Sequence, residues 1–298
     1  MAAFEQFIES AWADHGEQAE AVALRLAAST AIVVNAAQVA PFASLVVHIF
    51  GEHLGLWQRG DALLQSLAPA TAGDAAAHAL LARQRAALQA ATGDDAALLA
   101  LAPGDAAAAW APVSSMRCGR ADFDGAAAAL QGALLIESRI ATQFAEPGLP
   151  DKSPATRALA VAGNNLAAAL EELGGARSPQ QTTAMVSAAE TGLKYWTLAG
   201  GWLEAQRAEY RLARSLLQAG RAADAAQAAR RCLALCAQHD APTFERVFGF
   251  AALSLALRAG GDASGADAAR ADAQAQLASV PPDEQHWCTA DLREMDKR

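Results

Sequence analysis

Small and apolar residues recur along this chain at three- and four-residue steps, the period of a helix with one buried face. The clearest case surrounds Gly220. Leu212, Ala213 and Leu216 share a face before it, and Ala225, Ala229, Cys232 and Leu235 share one after it. The stretch around Gly261 repeats this with Leu253, Ser254, Leu257, Ala266 and Ala273. Ala213 and Ala225 are expected where the two helices cross, because larger side chains there would push the axes apart. Gly220, Ala225 and Cys232 are separated by steps of five and seven. The same steps relate Gly261, Ala266 and Ala273, then Gly16, Ala21 and Ala28, then Arg120, Gly125 and Gly132.

Glycine-containing turns divide the pattern at His15-Gly16, Arg59-Gly60-Asp61, Gly93-Asp94, Gly119-Arg120, Gly174-Gly175, Gly220-Arg221 and Gly260-Gly261. Glycine ends a helix in the left-handed conformation, and a following polar residue caps the next. Weaker breaks fall near Thr30, Pro69, Pro103, Pro147–Pro154, Gly200-Gly201 and Pro242. The expectation is an all-α chain, a right-handed α-solenoid of about seven antiparallel helix hairpins. β-Branched residues concentrate only at Thr30–Val34 and Val46–Ile49, so no strand pattern emerges. Phe144 to Pro154 reads as an inserted loop that no helix could cross. With no linker polar enough to mark a boundary, residues 1–298 read as one array. Residues 1–119 are degenerate, 120–280 more regular, and 281–298 a tail in which Trp287 and Leu292 anchor a capping helix over the last hairpin.

The pairs Leu212-Ala213, Gly220, Ala225 and Cys232, and Leu253-Ser254, Gly261, Ala266 and Ala273, resemble the tetratricopeptide repeat family. Ala133–Ser138, Ser153-Pro154, Asn164-Asn165-Leu166-Ala167 and Gly174 resemble the longer repeats of kinesin light chains. The resemblance covers about residues 120–280 well and 1–119 loosely. It implies a concave groove, lined by the first helix of each unit, that binds peptides or partner proteins.

Arg207, Tyr210, Arg211 and Arg214 fall on one stripe at steps of three, four and seven. The family pattern turns that stripe into the groove, and it places Asn164 and Asn165 on the matching stripe one unit earlier. Arginine forks suit carboxylates and asparagine pairs with peptide amides. Relatives that clamp a C-terminal carboxylate use such residues, which Asn165, Arg207 and Arg211 resemble. They also use a basic residue and an Asn where this chain has Trp110 and Ser114. Two readings stand together: acidic-peptide binding, or a solvated charged face paired with Glu171 and Glu172.

Other constellations carry less. Cys232, Cys236 and His239 share a helical stripe without a fourth metal ligand, which favours packing over zinc. His48 and His53 lie five apart, which in an α-helix is not one face, and read as ordinary partly buried histidines. The six tryptophans read as packing between hairpins, with Trp110 and Trp202 as alternative groove anchors. Asp94-Asp95 reads as a turn and helix start. No nucleophile elbow, phosphate loop or dinucleotide fingerprint occurs, so no enzyme, cofactor or metal is expected.

Composition sharpens the class. Roughly 80 alanines suit helices, since alanine loses no side-chain entropy. Three lysines accompany about twenty arginines, a bias that fits a GC-rich bacterial genome. The net charge of −9 disfavours nucleic acid. Ala31 to Phe50 is the most apolar stretch, and its polar interruptions predict a buried helix pair and no membrane span. Met1–Ala13 lacks Lys and Arg, unlike a secretory signal, and four scattered cysteines suit a reducing, cytoplasmic setting. The expected partner is another protein or peptide. The alternatives are a sensor that a small peptide or metabolite reshapes, and an oligomer formed through a terminal hairpin.

Overall fold

The computed structural model describes residues 2–144, 153 and 155–296. The inserted loop predicted over Phe144–Pro154 lies almost entirely outside the described residues. Among the described residues there are helices and turns and no strand. The chain divides into two compact units, Met1–Ala162 and Gly163–Arg298.

The first unit contains α1 (Ala2–Asp14), α2 (Ala19–Ala28), α3 (Ala36–Val46), α4 (Trp57–Gln65), α5 (Ala75–Ala91), the short α6 (Ala96–Leu99), α7 (Pro103–Gly119) and α8 (Phe123–Phe144). Its core centres on α3, whose Val39, Phe42, Leu45 and Val46 are fully buried beside Leu26, Leu64, Leu88 and Met116. Each such side chain contributes about 1.5–3 kcal/mol when removed from water. The helix pair predicted over Ala31–Phe50 is instead a short 3₁₀ turn, Thr30–Ile32, followed by one helix that runs on through a π-helical turn, Val47–His53. The Leu54 amide closes that turn on the Ile49 carbonyl, five residues back, at 3.1 Å. A π-turn brings the fifth residue round where an α-helix brings the fourth, so His48 and His53 do share a face. The predicted turn at Arg59-Gly60-Asp61 is also corrected. Those residues lie inside α4, and Gly60 is buried where a Cβ would sit 3.0 Å from Phe50 and 3.3 Å from Leu88. The turn falls earlier, at Gly55, with φ of +64°.

The second unit starts within α9 (Thr156–Glu172) and continues through α10 (Pro179–Ala199), α11 (Trp202–Gln218), α12 (Ala222–Gln238), α13 (Thr243–Ala259), α14 (Ala263–Leu277) and α15 (Thr289–Asp296). Neighbouring helices pack in pairs: α11 with α12 and α13 with α14, while α13 also touches α11. Ala213 and Ala225 are buried as the crossing argument requires.

The five-and-seven spacing holds in two places and shifts in the others. Gly220 and Gly261 take φ of +76° and +85°, and Ala225, Cys232, Ala266 and Ala273 are fully buried. In the α7–α8 pair the matching residues are Ala121, Ala126 and Ala133, one later than Arg120, Gly125 and Gly132. Ala121 adopts φ of +60°, and Ala126 and Ala133 are fully buried. Asp122 caps the Gly125 amide at 3.0 Å just as Asp262 caps that of Gly265 at 2.9 Å. Ser114 donates to the Ala126 carbonyl at 2.7 Å, and Ser254 to that of Ala266 at 2.8 Å, which fixes the equivalence. Near the N-terminus the spacing marks no interface. Ala21 and Ala28 are exposed, and Val22, Ala23 and Leu26 are the buried face of α2.

The C-terminal tail does form a helix, α15, against α13. Its anchors are Cys288 and Met295, with Leu292 packed beside them. Trp287, expected as an anchor, is 67% exposed.

Candidate functional site

Helix α11 begins at Gly201, whose amide donates to Glu204 at 2.8 Å, so its first turn is pinned. Its apolar face, Leu212, Ala213 and Leu216, is buried. The opposite stripe faces a cleft of about 540 Å³, within the range of ligand pockets. Gln206, Arg207, Tyr210 and Arg211 from α11 line it, with Asn164 of α9, Phe244, Glu245 and Phe248 of α13, and Trp287. Of the residues singled out in the sequence, Asn164, Arg207, Tyr210 and Arg211 therefore meet at one cleft. Asn165 is exposed beside Asn164, and Arg214 lies one turn further along α11, outside the lining.

Every member of the cationic stripe has an acidic partner within the unit. Arg207 clasps Glu245, through Nε and one terminal nitrogen. Arg211 donates to Glu171 at 2.5 Å, whose other carboxylate oxygen accepts from Ser215 at 2.6 Å. Arg214 donates to Glu294 at 2.5 Å, and the Tyr210 hydroxyl donates to Asp291 at 2.6 Å. The partner foreseen for this face, Glu171, is present, whereas Glu172 is exposed. Three partners were unforeseen: Glu245 on α13, and Asp291 and Glu294 on α15. Three guanidiniums thus face four carboxylates, and the cleft is not broadly cationic.

Burial sets the local ionisation. It pushes the Glu171 carboxyl above its ordinary value, against the opposing pull of Arg211 and the Ser215 hydrogen bond. Burial and then the Asp291 carboxylate push the Tyr210 phenol well up, so Tyr210 stays a hydrogen-bond donor. Arg207 differs from its neighbours. Its side chain is 58% exposed while Glu245 is 7% exposed, so the guanidinium can be reached from solvent.

Three features make the cleft more than a charged face. Gln206 is buried, donates its amide nitrogen to Cys232 at 3.1 Å, and has a buried Oε1 with no hydrogen-bond partner. A buried acceptor left unpaired costs on the order of 1–3 kcal/mol. Tyr210, Phe244 and Phe248 form an edge-to-face aromatic wall, with centroids 5.6 and 5.1 Å apart. Trp287 stands at the same cleft with most of its surface in solvent. Of these, Gln206, Phe244, Glu245 and Phe248 were not singled out in the sequence. The four-residue step from Phe244 to Phe248 was the available signal, since it puts both rings on one face of α13.

The remaining constellations have local roles. Trp110 stands over Gly132, and Ser114 is engaged with the Ala126 carbonyl. Cys232 and Cys236 are buried, and the Cys236 hydrogen bond together with burial holds the Cys232 thiol protonated. His239 turns from them to stack on Trp202 at 5.1 Å and 9°. Asp94 accepts from the Ala96 amide at 3.2 Å, the helix start foreseen for Asp94-Asp95. No helix among the described residues is long and apolar enough to cross a membrane. No family model matches the chain, and no curated protein matches it.

Proposed function

We propose that this protein is a non-catalytic, tetratricopeptide-like binding module that takes an extended segment of a partner protein or peptide into the α9–α11–α13 cleft. The observation that carries this reading is a cleft that sets the Asn164 amide and the exposed Arg207 guanidinium beside an aromatic wall. A peptide backbone supplies a carbonyl and an N–H that pair with the Asn164 amide. An apolar side chain then packs against Phe244, Phe248 and Trp287. Arg207 adds a preference for a carboxylate on the ligand, and that carboxylate competes with Glu245. The acidic-peptide preference is accordingly a one-arginine effect, since Arg211 and Arg214 are committed to Glu171 and to α15.

The hairpin pairs of both units, with the equivalent links Ser114–Ala126 and Ser254–Ala266, support the repeat reading. A cytoplasmic site of action is proposed on cysteine usage alone. Selection of a displayed random-peptide library on the full chain tests the proposal. Recovered sequences should share an apolar residue flanked by an acidic residue or a C-terminal carboxylate. Selection that returns no consensus, or one that survives loss of the Trp287 side chain, contradicts it.

A further inference from the structure

Three histidines of the first unit converge in a way that neither the peptide cleft nor the helix packing uses. His48 and His53 lie on the π-helical turn and face each other, with their Nε2 atoms 3.1 Å apart. His15, just beyond α1, closes the group, with its ring centroid 5.0 Å from that of His48 and 5.5 Å from that of His53. One ring nitrogen from each of the three lies within 4.8 Å of the others, and all three residues are half-buried.

Two of the three outward nitrogens are engaged. His48 Nδ1 contacts Glu52 Oε2 at 2.8 Å, and His15 Nδ1 contacts the Trp12 carbonyl oxygen. In His15 and His48 the acceptor at Nδ1 holds the proton there and leaves Nε2 as a bare lone pair, the arrangement that orients metal-binding imidazoles. A cation displaces the proton that His53 Nε2 shares with His48. Zinc–nitrogen bonds of 2.0–2.1 Å at tetrahedral angles separate ligand nitrogens by about 3.3 Å. The His48–His53 pair is already at that spacing, and the Trp12 ring lies against His48 at 5.1 Å as an apolar wall.

We propose that His15, His48 and His53 bind one divalent d-block cation of the zinc class through Nε2, with Glu52 and the Trp12 carbonyl as outer-shell partners. Three imidazoles leave the fourth tetrahedral position to water or to a donor from another molecule, unlike a closed structural site. Borderline nitrogen ligands select Zn²⁺, Ni²⁺ or Cu²⁺ over Mg²⁺ and Ca²⁺. The π-turn has a use in this arrangement, because an α-helical turn would set His48 and His53 on different faces.

The test uses the full chain, stripped with chelator and titrated with Zn²⁺ against a chromophoric competitor, with Mg²⁺ as control. The expected result is one Zn²⁺ per chain and a raised melting temperature. His48→Gln and His53→Gln should weaken binding at least 100-fold. Glu52→Gln should weaken it about 10- to 100-fold, and Cys236→Ser should leave it unchanged. Co²⁺ added to the unaltered chain should give the intense visible absorption of a tetrahedral site, a readout independent of how the variants fold. Absence of that absorption, or Zn²⁺ affinity that survives His48→Gln and His53→Gln or falls in Cys236→Ser, overturns the proposal.

Discussion

Arg211 of α11 reaches Glu171 of α9 at 2.5 Å, and the carboxylate it meets is buried and held above its ordinary pKa by that burial. A carboxyl raised in the folded state stabilises the fold most at acid pH, and that contribution is lost as pH rises through the folded value. Arg211 limits the loss. Arg211→Met should therefore destabilise the protein by about 2–4 kcal/mol at neutral pH, with part of it regained near pH 5. Glu171→Gln keeps an acceptor for Ser215 and should cost less. Urea melts across pH check this, and equal effects of the two substitutions, or a pH-independent Arg211→Met, contradict it.

The same relationship changes how the cleft must be probed. A double substitution of Arg207 and Arg211 exposes two buried carboxylates, Glu245 and Glu171, to loss of their partners. Lost binding in that variant would report on folding as much as on recognition.

Ala121 holds a left-handed conformation that Gly220 and Gly261 hold in the equivalent turns. L-residues are disfavoured there by roughly 1–2 kcal/mol, offset in part by the larger unfolded-state entropy of glycine. Ala121→Gly should raise stability by about 0.5–1 kcal/mol, and Ala121→Val should lower it by more. A destabilised Ala121→Gly in thermal or urea unfolding would contradict the left-handed turn at this position.

At Gly163 the backbones of α9 and α10 approach so closely that a Cβ would lie 2.6 Å from the Ala188 carbonyl oxygen and 2.7 Å from the Gly192 nitrogen. Backbone cannot rotate aside as a side chain can, so the helices must separate. Gly163→Ala should cost about 1–3 kcal/mol, while Gly175→Ala, whose Cβ meets nothing within 4 Å, should cost much less. Comparable melting temperatures for the two variants would rule the close approach out.

Ser114 and Ser254 make the same buried link across two different hairpins. Each serine-to-alanine change should cost about 1 kcal/mol, since each removes one net hydrogen bond. A measurable loss in one hairpin and none in the other would break the equivalence.

Much of the helix order was legible because glycine and proline punctuate it. The ends of α7, α11 and α13 fall at the glycine marks, and α11 carries its polar stripe as the 3.6-residue period requires. Glycine also misled. In the α7–α8 hairpin the left-handed residue is Ala121, so the reading attached to the nearby Gly125 and Gly132 and slipped by one. Gly60 serves packing against Phe50 and Leu88, which no local pattern distinguishes from a turn. The π-turn was illegible because helical propensity is blind to the change of period, and with it went the shared face of His48 and His53. Two of the acids that neutralise the stripe, Asp291 and Glu294, come from α15, about 80 residues away along the chain.

Titration of a selected peptide into the full chain by calorimetry tests the central claim of a peptide-binding cleft. The comparison is wild type against Asn164→Ala and Trp287→Ser, both surface changes that spare the core and the buried ion pairs. The cleft predicts one site per chain, with each substitution weakening binding at least tenfold and neither moving the melting temperature. Affinity that is unchanged in both variants would place recognition elsewhere on the protein.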